Sequence, residues 1–459
     1  MVRAVFSSDA AAAAATATHR DRYVDLLRAV AILLVVVGHW LAVNLTVHDG
    51  RVKGANAGAD VLQVLPWARP LTWLFQVMPI FFLVGGYANT ASWSSHQRRG
   101  GDGTTWVRSR MLRLLRPTAI FVFTLAATKA LGWVLKFDPD IVGGAVWVAA
   151  IALWFVVVYL AVVALAPALI TWQRRWGHVT IVALLVAGVG VIDLNRLVFA
   201  VPIVASLSYL LGWLAVHQLG VAWRDGVLTR NPRTAWLLAG GGLLSLLVLT
   251  GPGPYAVSMF GAVGTGLQNI APPTLALLAL ATSQTGLILL LHDPVERWLI
   301  QPRRWTAVVA VNAVVFTIYL WHMVAVVIVA LALVLTGALP QYPIGSVAWL
   351  LLRLPWLLAL TVVLIALVRT FSRWERPRLY GAQAGQLRAS PQTTVRLATG
   401  VLSCLAALSA LVSTRFAGIA PTAVPIVELT AFAIGLLLVG LPVPNIKRQD
   451  RLCGDSGPA

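Results

Sequence analysis

The sequence predicts an all-α, polytopic transmembrane helical bundle, a ten-helix core followed by two extra C-terminal helices. Three observations predict it. The 459 residues are 59% hydrophobic and only 11% charged, whereas a soluble domain is about a quarter charged. Apolar runs of about 20 residues, long enough to cross a bilayer as a helix, recur along the chain. The basic residues gather in short clusters between those runs. A transmembrane barrel would show ten-residue alternations instead.

The runs fall at 26–45, 71–91, 117–135, 146–171, 179–193, 197–217, 234–250, 270–291, 306–335 and 347–370, with two more at 395–415 and 421–443. Residues 1–25 read as a cytoplasmic N-terminal tail. Its basic residues follow an alanine tract rather than preceding an apolar segment, so it lacks the order of a signal peptide. The core spans 26–378. The Gly/Gln/Ser/Pro-rich stretch 379–394 reads as a linker, 395–443 as a two-helix membrane extension and 444–459 as a cytoplasmic tail.

Charge sets the orientation. With the N-terminus cytoplasmic and all twelve runs crossing, 27 of the 35 Lys and Arg fall inside. The outer loop 251–269 has none. This is the positive-inside pattern and places both termini in the cytoplasm, in a cell (inner, cytoplasmic) membrane. The net charge of +19 therefore suits membrane lipid headgroups or phosphate-bearing ligands. No nucleic-acid motif is present. Cys404 lies in an apolar run and Cys453 in the tail, with neither disulfide nor metal spacing. His292 with Asp293 and Glu296 reads as a solvated loop rather than a metal site, and Asp193 as a surface turn. No metal is expected.

The first run, "DLLRAVAILLVVVGHWLAV" at 25–43, raises the functional question. Asp25 is placed to cap the helix. Arg28 and His39 are eleven residues apart, close to three turns, so both face one way with about 16 Å of rise between them. A titratable side chain at membrane depth is costly unless it faces a protein interior or a wet cavity. One reading is a structural histidine bonded to a neighbouring helix. The other is a polar channel along one side of the helix. A second intramembrane histidine, His322, lies in "FTIYLWHM" at 316–323, at or beyond mid-helix and at a depth broadly like that of His39. Between the second and third runs, "WVRSRMLRLLRP" at 106–117 spaces Arg110, Arg113 and Arg116 three apart, on one helical face. Guanidinium groups so placed bind phosphate bidentately. The same spacing also serves as ordinary positive-inside charge.

An Arg, ten residues and a His on the first helix, in "VDLLRAVAILLVVVGH", resembles the signature of the integral-membrane acyltransferase 3 family. "MPIFFLVGGYAN" at 78–89 is similar to that family's "FFxxSG" segment, with Val84-Gly85-Gly86 replacing Ser-Gly. "WFVVVYLAVVALAP" at 154–167 resembles its fourth helix, "YLWH" its ninth, and "RWERP" at 373–377 the end of its core. The resemblance covers about 22–378. It implies a membrane-bound O-acyltransferase that moves an acyl group, commonly acetyl, from cytoplasmic acyl-CoA to a hydroxyl of a cell-envelope carbohydrate, glycolipid or small metabolite. It implies catalytic roles for His39 and Arg28. It also implies contact of Arg110 and Arg113 with the donor's phosphates, Arg116 being the alternative partner. His322 is a further candidate. A proton-coupled transporter or flippase also fits intramembrane His and Arg, though no two-fold repeat of six helices is visible. An inert scaffold is a third reading, kept open by the lost Ser.

Overall fold

The computed structural model describes residues 21–44, 46–48, 51–53, 59–199, 202–261, 266–375, 390–418 and 424–441. Residues 1–20, 379–389 of the linker, the last two residues of "RWERP" and the tail 444–459 with Cys453 lie outside them.

Helix α1 (Arg22–Ala42) begins four residues before the apolar run, because Asp21 caps it by accepting from Val24 N. Asp25 is therefore not the cap. It sits in the first turn and pairs with Arg28 at 3.0 Å. A two-stranded antiparallel ladder, β1 (Thr46–His48) with β2 (Arg51–Lys53), follows with Val47 opposite Val52. Then come α2 (Ala59–Val64), a 3₁₀ turn (Pro66–Leu71), α3 (Thr72–Phe75) and α4 (Met78–Arg98). Pro79 in the first turn of α4 has no N–H to continue α3, which accounts for the break at Gln76 and Val77.

Helix α5 (Gly103–Val134) starts at an Asp102 cap and carries the arginine cluster. Next come α6 (Pro139–Ala150), α7 (Leu153–Trp176), α8 (His178–Val198), α9 (Pro202–Arg224), α10 (Pro232–Thr250) and α11 (Leu275–Trp298). The ninth run is not one helix but two, α12 (Pro302–Ala313) and α13 (Val315–Leu335). Asn312 explains where α12 ends. Its side chain donates to Val308 O and to Asp25 O of α1, the kind of local bond that competes with helix propagation. His322 is thus the eighth residue of its helix rather than at or past the middle. Helices α14 (Val347–Leu351), α15 (Arg353–Glu375), α16 (Pro391–Ser413) and α17 (Ile426–Val439) complete the chain.

Eleven helical segments among the described residues are long and apolar enough to cross a membrane, and α17 is a shorter apolar helix of 14 residues. The protein is a multi-pass helical membrane protein.

Glycine sets the closest crossing. A Cβ on Gly86 of α4 would lie 1.9 Å from the His217 carbonyl oxygen on α9, and one on Gly220 would lie 2.0 Å from the Leu83 oxygen. Backbone cannot give way there as a side chain can. Gly85 similarly admits the Tyr159 ring, 3.2 Å from where its Cβ would be. Val84-Gly85-Gly86 is thus a packing surface. Gly86→Ala should destabilise the bundle by about 1–3 kcal/mol or more, read as a lowered unfolding temperature in detergent. Gly240→Ala, with nothing within 4 Å of the added carbon, should leave that temperature nearly unchanged.

Two polar ties position outlying parts. Asp193 is not on the surface: it lies inside α8, 1% exposed. It accepts from Tyr255 and from Leu275 N and pairs with Arg196, so the 251–274 loop is pinned to α8. Burial, then the Asp193 charge, pushes the Tyr255 hydroxyl above its ordinary pKa. The C-terminal helix pair packs on α5 at both ends. Lys129 Nζ donates to Phe416 O at 2.7 Å, and Arg108 Nε donates to Val439 O at 3.1 Å.

Candidate functional site

The two membrane histidines meet. His39 on α1 and His322 on α13 stack with ring centroids 5.1 Å apart, and His39 Nδ1 lies 2.9 Å from His322 Nε2. The sequence places both at a similar depth but gives no sign that they touch across 283 positions.

The surrounding bonds assign the protons. His322 Nδ1 faces the Tyr319 carbonyl oxygen, which only accepts. His322 therefore carries its proton on Nδ1 and accepts at Nε2. His39 must then donate from Nδ1, which leaves its Nε2 lone pair without a partner among the described residues. His322 is fully buried and His39 half-buried, so the free nitrogen belongs to the accessible ring. The frame is rigid. Trp40 Nε1 donates to His322 O, Trp356 Nε1 to Trp40 O, and Tyr319 O–H to Ala152 O. Chemically, this is a neutral base held in one tautomer by a buried partner.

The arginines gather at the other end of α1. Arg28, half-buried, holds Asp25. Arg110 lies over Trp106, 5.3 Å from the ring centroid, and its buried Nε has no hydrogen-bond partner among the described residues. The charges of Arg113 and Arg28 act on the Arg110 guanidinium. Arg113 is exposed and donates to Ser109 O. Helices α1 and α5 thus place Arg28 and Arg113 within electrostatic reach of Arg110. Arg116 has no hydrogen bond or ion pair among the described residues. Clustered guanidiniums with an orphaned N–H suit a polyanionic ligand such as a nucleotide diphosphate.

Three buried polar features were not singled out from sequence. His217 is completely buried and bonded to Asn89 at 3.3 Å and Gln218 at 3.1 Å, deep in the bundle although the sixth apolar run of the sequence ends at it, because α9 continues to Arg224. Gln76 is fully buried, and neither its side-chain amide atoms nor the Gln284 Oε1 beside it has a hydrogen-bond partner among the described residues. Gln284 Nε2 donates to Gln76 O. Phe75, next to Gln76, packs on Gly38, next to His39. The only signal was a glutamine inside the apolar stretch "LTWLFQVMPI". His292 pairs with Asp293 at 2.8 Å. No group of three His, Cys, Asp or Glu that could hold a metal ion occurs among the described residues.

No curated protein and no solved structure matches the chain significantly. A family model described as an acyltransferase domain matches residues 21–373, from the cap of α1 to the end of α15. With more than half its length covered by that model, the chain belongs to the acyltransferase 3 family of integral-membrane acyltransferases.

Proposed function

We propose that this protein is an O-acyltransferase that transfers an acyl group, acetyl in the simplest case, from cytoplasmic acyl-CoA to a hydroxyl of a cell-envelope carbohydrate, lipid or small metabolite. The single observation that carries this reading is the His39–His322 pair, which leaves one uncommitted imidazole nitrogen on the accessible ring.

Arg110 and Arg113, with Arg28, hold the phosphates of the donor at the arginine-rich end, taken as cytoplasmic. The thioester then lies toward His39. His39 Nε2 takes the proton of the acceptor hydroxyl as that oxygen attacks the thioester carbonyl carbon. The carbon–sulfur bond breaks, and the departing thiolate takes the proton from the His39 imidazolium, giving coenzyme A and the acyl ester. His322 does not touch the reactants. It fixes which His39 nitrogen is basic and shares the charge as His39 protonates, the role an orienting carboxylate has in a catalytic triad.

Release of free coenzyme A from acetyl-CoA by protein in nanodiscs tests the reading, with water standing in for the acceptor. Thiol release dependent on His39 supports transfer. Ligand movement across the membrane without thiol release would support a proton-coupled carrier instead.

A further inference from the structure

A cavity lies at the opposite end of α1 from the arginine cluster. It has a volume of about 340 Å³, within the ordinary range of about 300–1,000 Å³ for ligand sites. Helices α1, α13 and α15 and the 339–342 loop enclose it. Val329, Leu333, Leu339, Leu352, Pro355 and Ala359 give it an apolar lining. Into this lining project one cation and three aromatic rings: Arg353, Trp349, Trp356 and Tyr342.

Arg353 is the informative residue. Its guanidinium lies 3.9 Å from the Trp349 ring centroid. Nη1 donates to Val43 O at 2.8 Å and Nη2 to Asn44 Oδ1 at 3.3 Å. Trp349 Nε1 donates to the same Asn44 oxygen and holds it in place. Two of the five N–H donors of a guanidinium are thus used, both on neutral oxygens. No carboxylate pairs with Arg353 among the described residues. A full positive charge in an apolar wall without a counter-ion is costly, and an anionic ligand would relieve that cost.

The cavity is also joined to the histidines. Trp356, in its wall, donates to Trp40 O, and Trp40 donates to His322 O. Trp40 and Val43 lie one and four residues beyond His39 on the same helix. A ligand here would sit within about two turns of the free His39 nitrogen. It would approach from the end away from Arg28, about 22 Å along α1 by its 15-residue rise to Val43.

We propose that this cavity is the acceptor's docking site and that the acceptor is an anionic amphiphile. Its phosphate rests on Arg353, its hydrocarbon chain lies along the apolar lining, and its hydroxyl-bearing part reaches His39. This narrows the substrate class of the acyl-transfer reading and rests on it for the ligand's role. The binding claim is tested separately from turnover.

Farnesyl phosphate and farnesol carry the same chain and differ only in the anion. Their binding to the full chain in phosphatidylcholine nanodiscs is followed by native mass spectrometry. Farnesyl phosphate should bind saturably and at least about tenfold more tightly than farnesol, as a charge-assisted contact provides. Arg353→Gln should abolish that preference and Arg353→Lys should keep part of it. Arg353 also holds the end of α1, so Ala359→Phe gives an independent check: it fills the cavity without touching the guanidinium and should weaken both ligands. Equal binding of the two ligands, a preference unchanged by Arg353→Gln, or binding of both ligands unchanged by Ala359→Phe, would overturn the proposal. Coenzyme A binding on the same samples separates the two claims. Its absence beside intact farnesyl phosphate binding would count against the donor reading and leave this one standing.

Discussion

His39→Ala should abolish nearly all coenzyme A release while leaving the protein folded and able to bind coenzyme A. A positioned general base contributes about 10²–10⁴-fold, and no other imidazole takes its place. His322 is buried behind His39, with Nε2 facing His39 and Nδ1 facing the Tyr319 carbonyl. The substitution removes one hydrogen bond and a half-buried ring, so the unfolding temperature should move by only a few degrees. A thiol assay on wild type and variant gives the first quantity, and a thermal melt in detergent the second. A His39→Ala protein that releases thiol at the wild-type rate would show that the His39 imidazole is not the base.

His322→Ala should lower turnover by about tenfold to a hundredfold, the usual cost of losing a partner that orients a working side chain. The reason differs from that for His39. Without His322 Nε2, the His39 Nδ1 proton has no acceptor, so the other tautomer and other ring orientations become populated. A filled cavity alone does not restore the bond. His322→Gln, whose side-chain oxygen accepts, should recover part of the rate, whereas His322→Leu should not. That split separates positioning from simple packing. The pH profile of thiol release gives a second check. Its acidic-limb midpoint, below which His39 is protonated and cannot act as the base, reports the proton held by the His39–His322 pair and should move in His322→Gln but not in a packing variant such as Leu246→Ala, a buried side chain away from both sites. If His322→Leu and His322→Gln turn over equally, the hydrogen bond has no role.

Much of this bundle is legible in the sequence for a physical reason. Membrane helices must satisfy their backbone internally, so length and apolarity alone mark them. Arg28, His39 and His322 stand out as isolated polar residues in such runs. What the sequence hides depends on contacts between helices. The meeting of α1 and α13 is a tertiary fact, as is the grouping of Arg28 with Arg110. Asp193 looks like a turn residue beside Asn195 and Arg196, yet Tyr255 and the start of α11 enclose it. Gln76 and His217 sit in apolar stretches whose depth a one-dimensional reading cannot assign. The split of the ninth run at Val314 depends on an Asn312 bond to another helix, which no periodicity reveals. The glycines of "VGGYAN" look like a damaged motif until the α9 backbone is seen lying against them.

Whether the arginine-rich end holds an acyl-CoA donor can be measured without knowing the acceptor. Coenzyme A binding to the purified protein in nanodiscs is compared between wild type and Arg110→Ala/Arg113→Ala. The nucleotide end is common to every acyl donor, so the acyl chain need not be guessed. Binding should be saturable and should weaken by more than about tenfold in the double variant, the loss expected when charge-assisted phosphate contacts are removed. No binding by folded wild-type protein up to millimolar coenzyme A, or equal binding by both proteins, would contradict a donor site there.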